Sequence, residues 1–99
     1  PNQINIELSE EIADGIYSNL AIITHSPAEF VVDFVRILPG TPKAKVKSRI
    51  LLTPQHAKRL MKALQENVGK FEALHGEIKE PQGSQGGIPM NFGGPTTQA

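Results

Sequence analysis

Ninety-nine residues, 38% of them hydrophobic, are enough for one domain with a modest core. The chain has no cysteine, which excludes a disulfide framework and thiolate metal sites. No apolar run approaches the roughly 20 residues that a membrane-spanning helix needs. A formal net charge of zero hides a segregation. Up to Asp33 every charged residue is acidic (Glu7, Glu10, Glu11, Asp14, Glu29, Asp33), and from Phe34 to Gln65 every one is basic (Arg36, Lys43, Lys45, Lys47, Arg49, Lys58, Arg59, Lys62). A dipolar surface is the expectation. The chain does not open on a basic segment followed by an apolar one, so a cytoplasmic protein is expected.

In chain order, Ile4, Ile6 and Leu8 alternate with polar residues and predict a short first strand. Ser9 to Gly15 is polar and closes on Asp-Gly, a turn signal. Ile16 to Thr24 predicts a second strand, His25-Ser26-Pro27-Ala28 a turn, and Glu29 to Ile37 a third strand. Leu38-Pro39-Gly40-Thr41-Pro42 is a loop rich in breakers. Ala44 to Leu52 predicts a fourth strand, with Lys45, Lys47, Arg49 and Leu51 on one side and Ala44, Val46, Ser48, Ile50 and Leu52 on the other. Pairing Leu20 with Phe34, Ile22 with Val32, Val32 with Ile50 and Phe34 with Ser48 gathers apolar residues on one face and sets Asp33 opposite Arg49.

Thr53 to Gly76 is the one strong helix signal. Thr53 suits the N-cap and Pro54 the first helical position. Ala57, Leu60, Met61, Leu64, Val68, Phe71 and Leu74 form an apolar stripe, and Gly76 suits a left-handed C-cap. The expected fold is therefore α+β in two layers. An antiparallel β-meander of about four strands is followed by one long C-terminal helix packed on one face. Residues 1–79 form this single domain. Residues 80–99, rich in Gly and Pro, form a tail that is flexible or docked on a partner, with Met90 and Phe92 as anchors.

Catalytic chemistry finds no foothold. His25, His56 and His75 fall in a turn, a helix start and a helix end, without metal-ligand spacing. Glu10 and Glu11 read as solvated charge, Ser18 has no nucleophile context, and the glycines after Gly83 follow no strand. No enzyme activity and no cofactor are expected. The interaction signals are better. Tyr17, Ile23, Val31, Val35, Ile37 and Leu51 make the face away from the helix too apolar for open solvent, which points to a homodimer or larger assembly through the sheet face. Tyr17 and Asn19 form a hydrogen-bonding patch on that face. The stripe Lys45, Lys47, Arg49 suits protein contact or protection of a sheet edge, with nucleic acid as the lesser alternative.

Tyr17-Ser18-Asn19, Glu29-Phe30, Asp33-Phe34, Pro39-Gly40, Arg49, Thr53-Pro54, His56-Ala57-Lys58, Leu60 and Gly76 together resemble an uncharacterised bacterial family of small proteins with a Tyr-Ser-Asn signature. The resemblance runs from about Ile4 to Ile78. It implies no enzyme activity, and some members are encoded beside the large-subunit genes of RNA polymerase. The sheet-then-helix order is also similar to SecB-type chaperones, a likeness of topology only. The function expected is a non-enzymatic protein-interaction module, an accessory subunit or regulator of bacterial RNA polymerase. A SecB-like holdase and a small nucleic-acid-binding protein are the alternatives. The partner-binding residues expected are Tyr17, Asn19, Lys45, Lys47, Arg49, Met90 and Phe92.

Overall fold

The computed structural model describes residues 3–80. Met90, Phe92 and the tail they belong to lie outside the described residues. The element order is α1 (Glu10–Ala13), β1 (Leu20–His25), β2 (Phe30–Arg36), β3 (Lys45–Leu52) and α2 (Pro54–His75). The three strands form one antiparallel sheet in the order β1-β2-β3, and the long helix follows, an α+β arrangement.

The chain divides into two compact units. One holds the described residues up to Ile22 together with Val32–Ile50, and the other holds Ile23–Val31 together with the described residues from Leu51 onward.

The sheet has three strands rather than four. The segment containing Ile4, Ile6 and Leu8 forms no strand, and all three side chains are exposed. Alternation specifies which side chains would share a face of a ladder; it does not supply the neighbouring strand. The Asp14-Gly15 turn does form, as the Gly15 N–H donates to Ile12 O at 3.0 Å. Ser9 caps α1 through its side chain, which accepts from the Ile12 N–H. At Pro39-Gly40 the Thr41 N–H donates to Leu38 O at 3.2 Å and Gly40 has φ of 76°. Positive φ at the third residue of such a turn strains any side chain, hence glycine there.

At the turn the β1–β2 register differs from the expected one by a residue. The Ser26 N–H donates to Glu29 O at 2.9 Å, which closes the hairpin around Pro27-Ala28. The His25 and Phe30 rings lie 5.5 Å apart, as directly opposed residues do. At the other end of the strand the Asn19 N–H donates to Val35 O at 3.1 Å, one residue out of step with the turn. The expected register is therefore off by one residue at the turn and met again at Asn19, so β1 takes up one extra residue between the two ends. Asp33 and Val35 are the two most deeply buried residues of β2. The β2–β3 expectation holds where it can be read, since Asp33 and Arg49 meet side chain to side chain.

Helix α2 begins and ends where its sequence signals lie. Thr53 Oγ1 accepts from the His56 N–H at 3.2 Å, and Pro54 occupies the first turn. The Gly76 N–H donates to Glu72 O, but Gly76 has φ 92° and ψ 167°, outside the left-handed helical region. That mirror-extended conformation is open essentially to glycine alone. No residue of α2 is buried, and Met61, Leu64, Phe71 and Leu74 are all exposed. Among the described residues, the buried apolar side chains are Val32, Val35 and Leu52.

Candidate functional site

The Tyr17-Ser18-Asn19 segment turns the chain into β1, and its polar side chains are used in doing so. Strict continuation of the hairpin gives Val35 O to the Leu20 N–H. The Asn19 N–H, one residue earlier, donates to Val35 O at 3.1 Å, so β1 takes up one extra residue between here and the turn, as in a β-bulge. Ser18 Oγ lies 3.0 Å from Leu20 O and 3.1 Å from Val35 O, and its single hydrogen serves both carbonyls. The Asn19 amide goes further. Its Nδ2 donates to Ile37 O at 3.0 Å, and its Oδ1 accepts from the Ile37 N–H at 2.9 Å. A side-chain amide thus reproduces both bonds of a ladder pair beyond the end of β2.

Of the expected patch, Asn19 is committed to this backbone contact, whereas Tyr17 is 68% exposed. The Asn19→Ala variant is expected to lose about 1 kcal/mol of stability, the net worth of exposed hydrogen bonds, in a urea titration. Asn19→Asp keeps the acceptor but turns a carboxylate toward Ile37 O, so it should not rescue the loss.

The basic stripe is also divided by the structure. Arg49 Nε and Nη2 donate to Asp33 Oδ1 and Oδ2 at 2.6 and 2.9 Å, a fork on a carboxylate. Asp33 is 1% exposed and the Arg49 side chain 59% exposed. The hydrogen bond to Asp33, and then its charge, raise the Arg49 pKa further above its already high value. Stability from a raised pKa is present below the unfolded value and lost above the folded one. Here both limits are strongly alkaline, so the pair holds across ordinary pH. Lys45 and Lys47 are exposed on the same strand.

The sheet face expected to be open is less so than its sequence suggests. Val35 is buried, and Val31 and Ile37 are half-buried. Two open apolar surfaces replace that face, one in each unit. A groove of about 460 Å³ is lined by Glu11, Ile12, Ile16, Ser18, Phe34 and Ile50 among others. Along α2, Met61, Leu64, Gln65 and Val68 line a shallow depression of about 430 Å³.

His25 packs on Phe30, and His75 on Phe71 with ring centroids 4.8 Å apart. Among the described residues no three His, Asp or Glu side chains come together as metal ligands do. No described helix is long and apolar enough to cross a membrane. The asparagine–backbone pairing and the bulge were beyond sequence reasoning, because a polar strand entry looks the same whether its amide faces water or a neighbouring strand.

No curated protein and no solved structure matches the chain. One family model does, over residues 1–80, which is the greater part of the chain and includes all the geometry above. The chain belongs to the family described as Protein of unknown function (DUF3467).

Proposed function

We propose that this chain is a non-enzymatic, cytoplasmic protein-interaction module, with bacterial RNA polymerase as the partner it serves. The observation behind it is the imbalance between open and buried apolar side chains. Val32, Val35 and Leu52 are buried, while Ile12, Ile16, Leu51, Met61, Leu64, Phe71 and Leu74 stand in solvent. An exposed surface of that kind favours a macromolecular contact. The polymerase is supported by the gene neighbourhood that the sequence resemblance implies.

Affinity purification of the tagged full chain at low salt is expected to bring down the large polymerase subunits. Their absence would overturn the polymerase assignment. A holdase is the second reading, favoured by the same open helix stripe, and it requires that the protein suppress aggregation of a model client. Nucleic acid is less well served, because Asp33 already holds Arg49, which leaves Lys45 and Lys47 as the free members of the stripe. If it were correct, binding would fall steeply with salt and vanish in a Lys45→Ala/Lys47→Ala variant.

A further inference from the structure

We infer that α2 pairs with α2 of a second copy of this chain, antiparallel and about a two-fold axis. The inference extends the interaction reading by naming one partner. Ala57, Met61, Leu64, Val68, Phe71 and His75 follow one another at alternate steps of four and three residues, the spacing of a helix–helix seam. The helix leaves this seam uncovered, with Leu64 at its middle 60% exposed.

The flanking residues decide the orientation. In an antiparallel pair that seats Leu64 against Val68 of the second copy, Met61 meets Phe71 and Ala57 meets His75. The same register brings Lys58 beside Glu72 of the second copy on one flank, and by symmetry Glu72 beside its Lys58. On the other flank Leu60 lies beside Leu74 of the second copy. Opposite charges and apolar residues are thus both matched, from one alignment fixed by the seam alone.

A parallel pair has no such match. It would set the basic half of the helix, Lys58, Arg59 and Lys62, beside its own equivalent. The helix also lacks any acidic residue in its first turn. Basic residues following that turn, with Glu72 near the other end, run against the helix's own macrodipole. That arrangement weakens a lone helix, and an antiparallel neighbour relieves it by bringing acidic groups to the basic end.

Sedimentation equilibrium of the full chain tests the pairing. The wild type is expected to be a dimer at micromolar concentration. Lys58→Glu and Glu72→Lys each set like charges together at both symmetric contacts, and each should weaken the dimer by roughly tenfold or more. An equimolar mixture of the two variants should restore dimer mass, because both contacts in the mixed pair then join opposite charges. The Lys58→Glu/Glu72→Lys double variant should restore it too. Circular dichroism checks that the helix is retained, since Glu72 also accepts the Ile78 N–H. A monomeric wild type, or single variants that dimerise as well as wild type, would overturn the helix pairing. So would retained helicity without recovery in the mixture. None of these results bears on polymerase capture, which is read separately by affinity purification.

Discussion

The Arg49→Met variant is expected to melt roughly 10 °C below the wild type. The cause lies in its partner. Asp33 is 1% exposed and receives both its charged hydrogen bonds from the guanidinium. Among the described residues no buried side-chain nitrogen or oxygen lacks a hydrogen bond. Removing Arg49 would create the first such vacancy, and at a charged group, where desolvation is most costly. The reverse change, Asp33→Leu, should be milder, because the Arg49 side chain reaches solvent and keeps its hydration. The Asp33→Leu/Arg49→Met pair should recover much of the loss, since apolar replacements of similar volume leave no uncompensated charge. Differential scanning calorimetry of the three variants measures this asymmetry. A single Arg49 variant as stable as the wild type would show that water already serves the Asp33 carboxylate.

The second large effect is expected at Leu52. Truncation to alanine should cost about 2–4 kcal/mol in a urea titration. Leu52 is the last residue of β3 and precedes the N-cap Thr53. It is 8% exposed, one of three buried apolar side chains among the described residues. Leu52 and Ala57 also hold the two positions of a hydrophobic staple, which fixes the angle at which a chain enters a helix. The variant therefore leaves a void and loosens the passage from strand to helix. Loss of less than about 1 kcal/mol would mean that the site collapses around the smaller residue.

What could be read in the sequence follows from how local each signal is. Helix α2 was legible to the residue, because Thr53, Pro54 and Gly76 act on backbone groups within a turn of themselves. The Asp33–Arg49 pair was legible because β2 and β3 alternate cleanly enough to fix which side chains face each other. The β1–β2 register at the turn was not, because it depends on where the hairpin closes and on an extra residue in β1, and neither leaves a mark in the apolar pattern. The segment with Ile4, Ile6 and Leu8 misled for a related reason. Its alternation describes a strand in waiting, and a strand exists only with a neighbour. The helix stripe was recognised, but whether a sheet or a second helix covers it is a question of tertiary placement that periodicity does not address. At the candidate site, Tyr17 and the two lysines were found as open surface, while Asn19 and Arg49 proved to be engaged within the chain, by the Ile37 backbone and by Asp33.

The order β1-β2-β3 has a kinetic consequence. Every strand pairs with its neighbour in sequence, and β2, which carries Val32, Asp33 and Val35, belongs to both hairpins. Among the described residues no ladder waits on a distant segment, so little loop-closure entropy precedes the first native contacts. Such a sheet has low contact order and can nucleate from either hairpin, with β2 common to both routes. The pairing steps within a single chain are then expected to be fast.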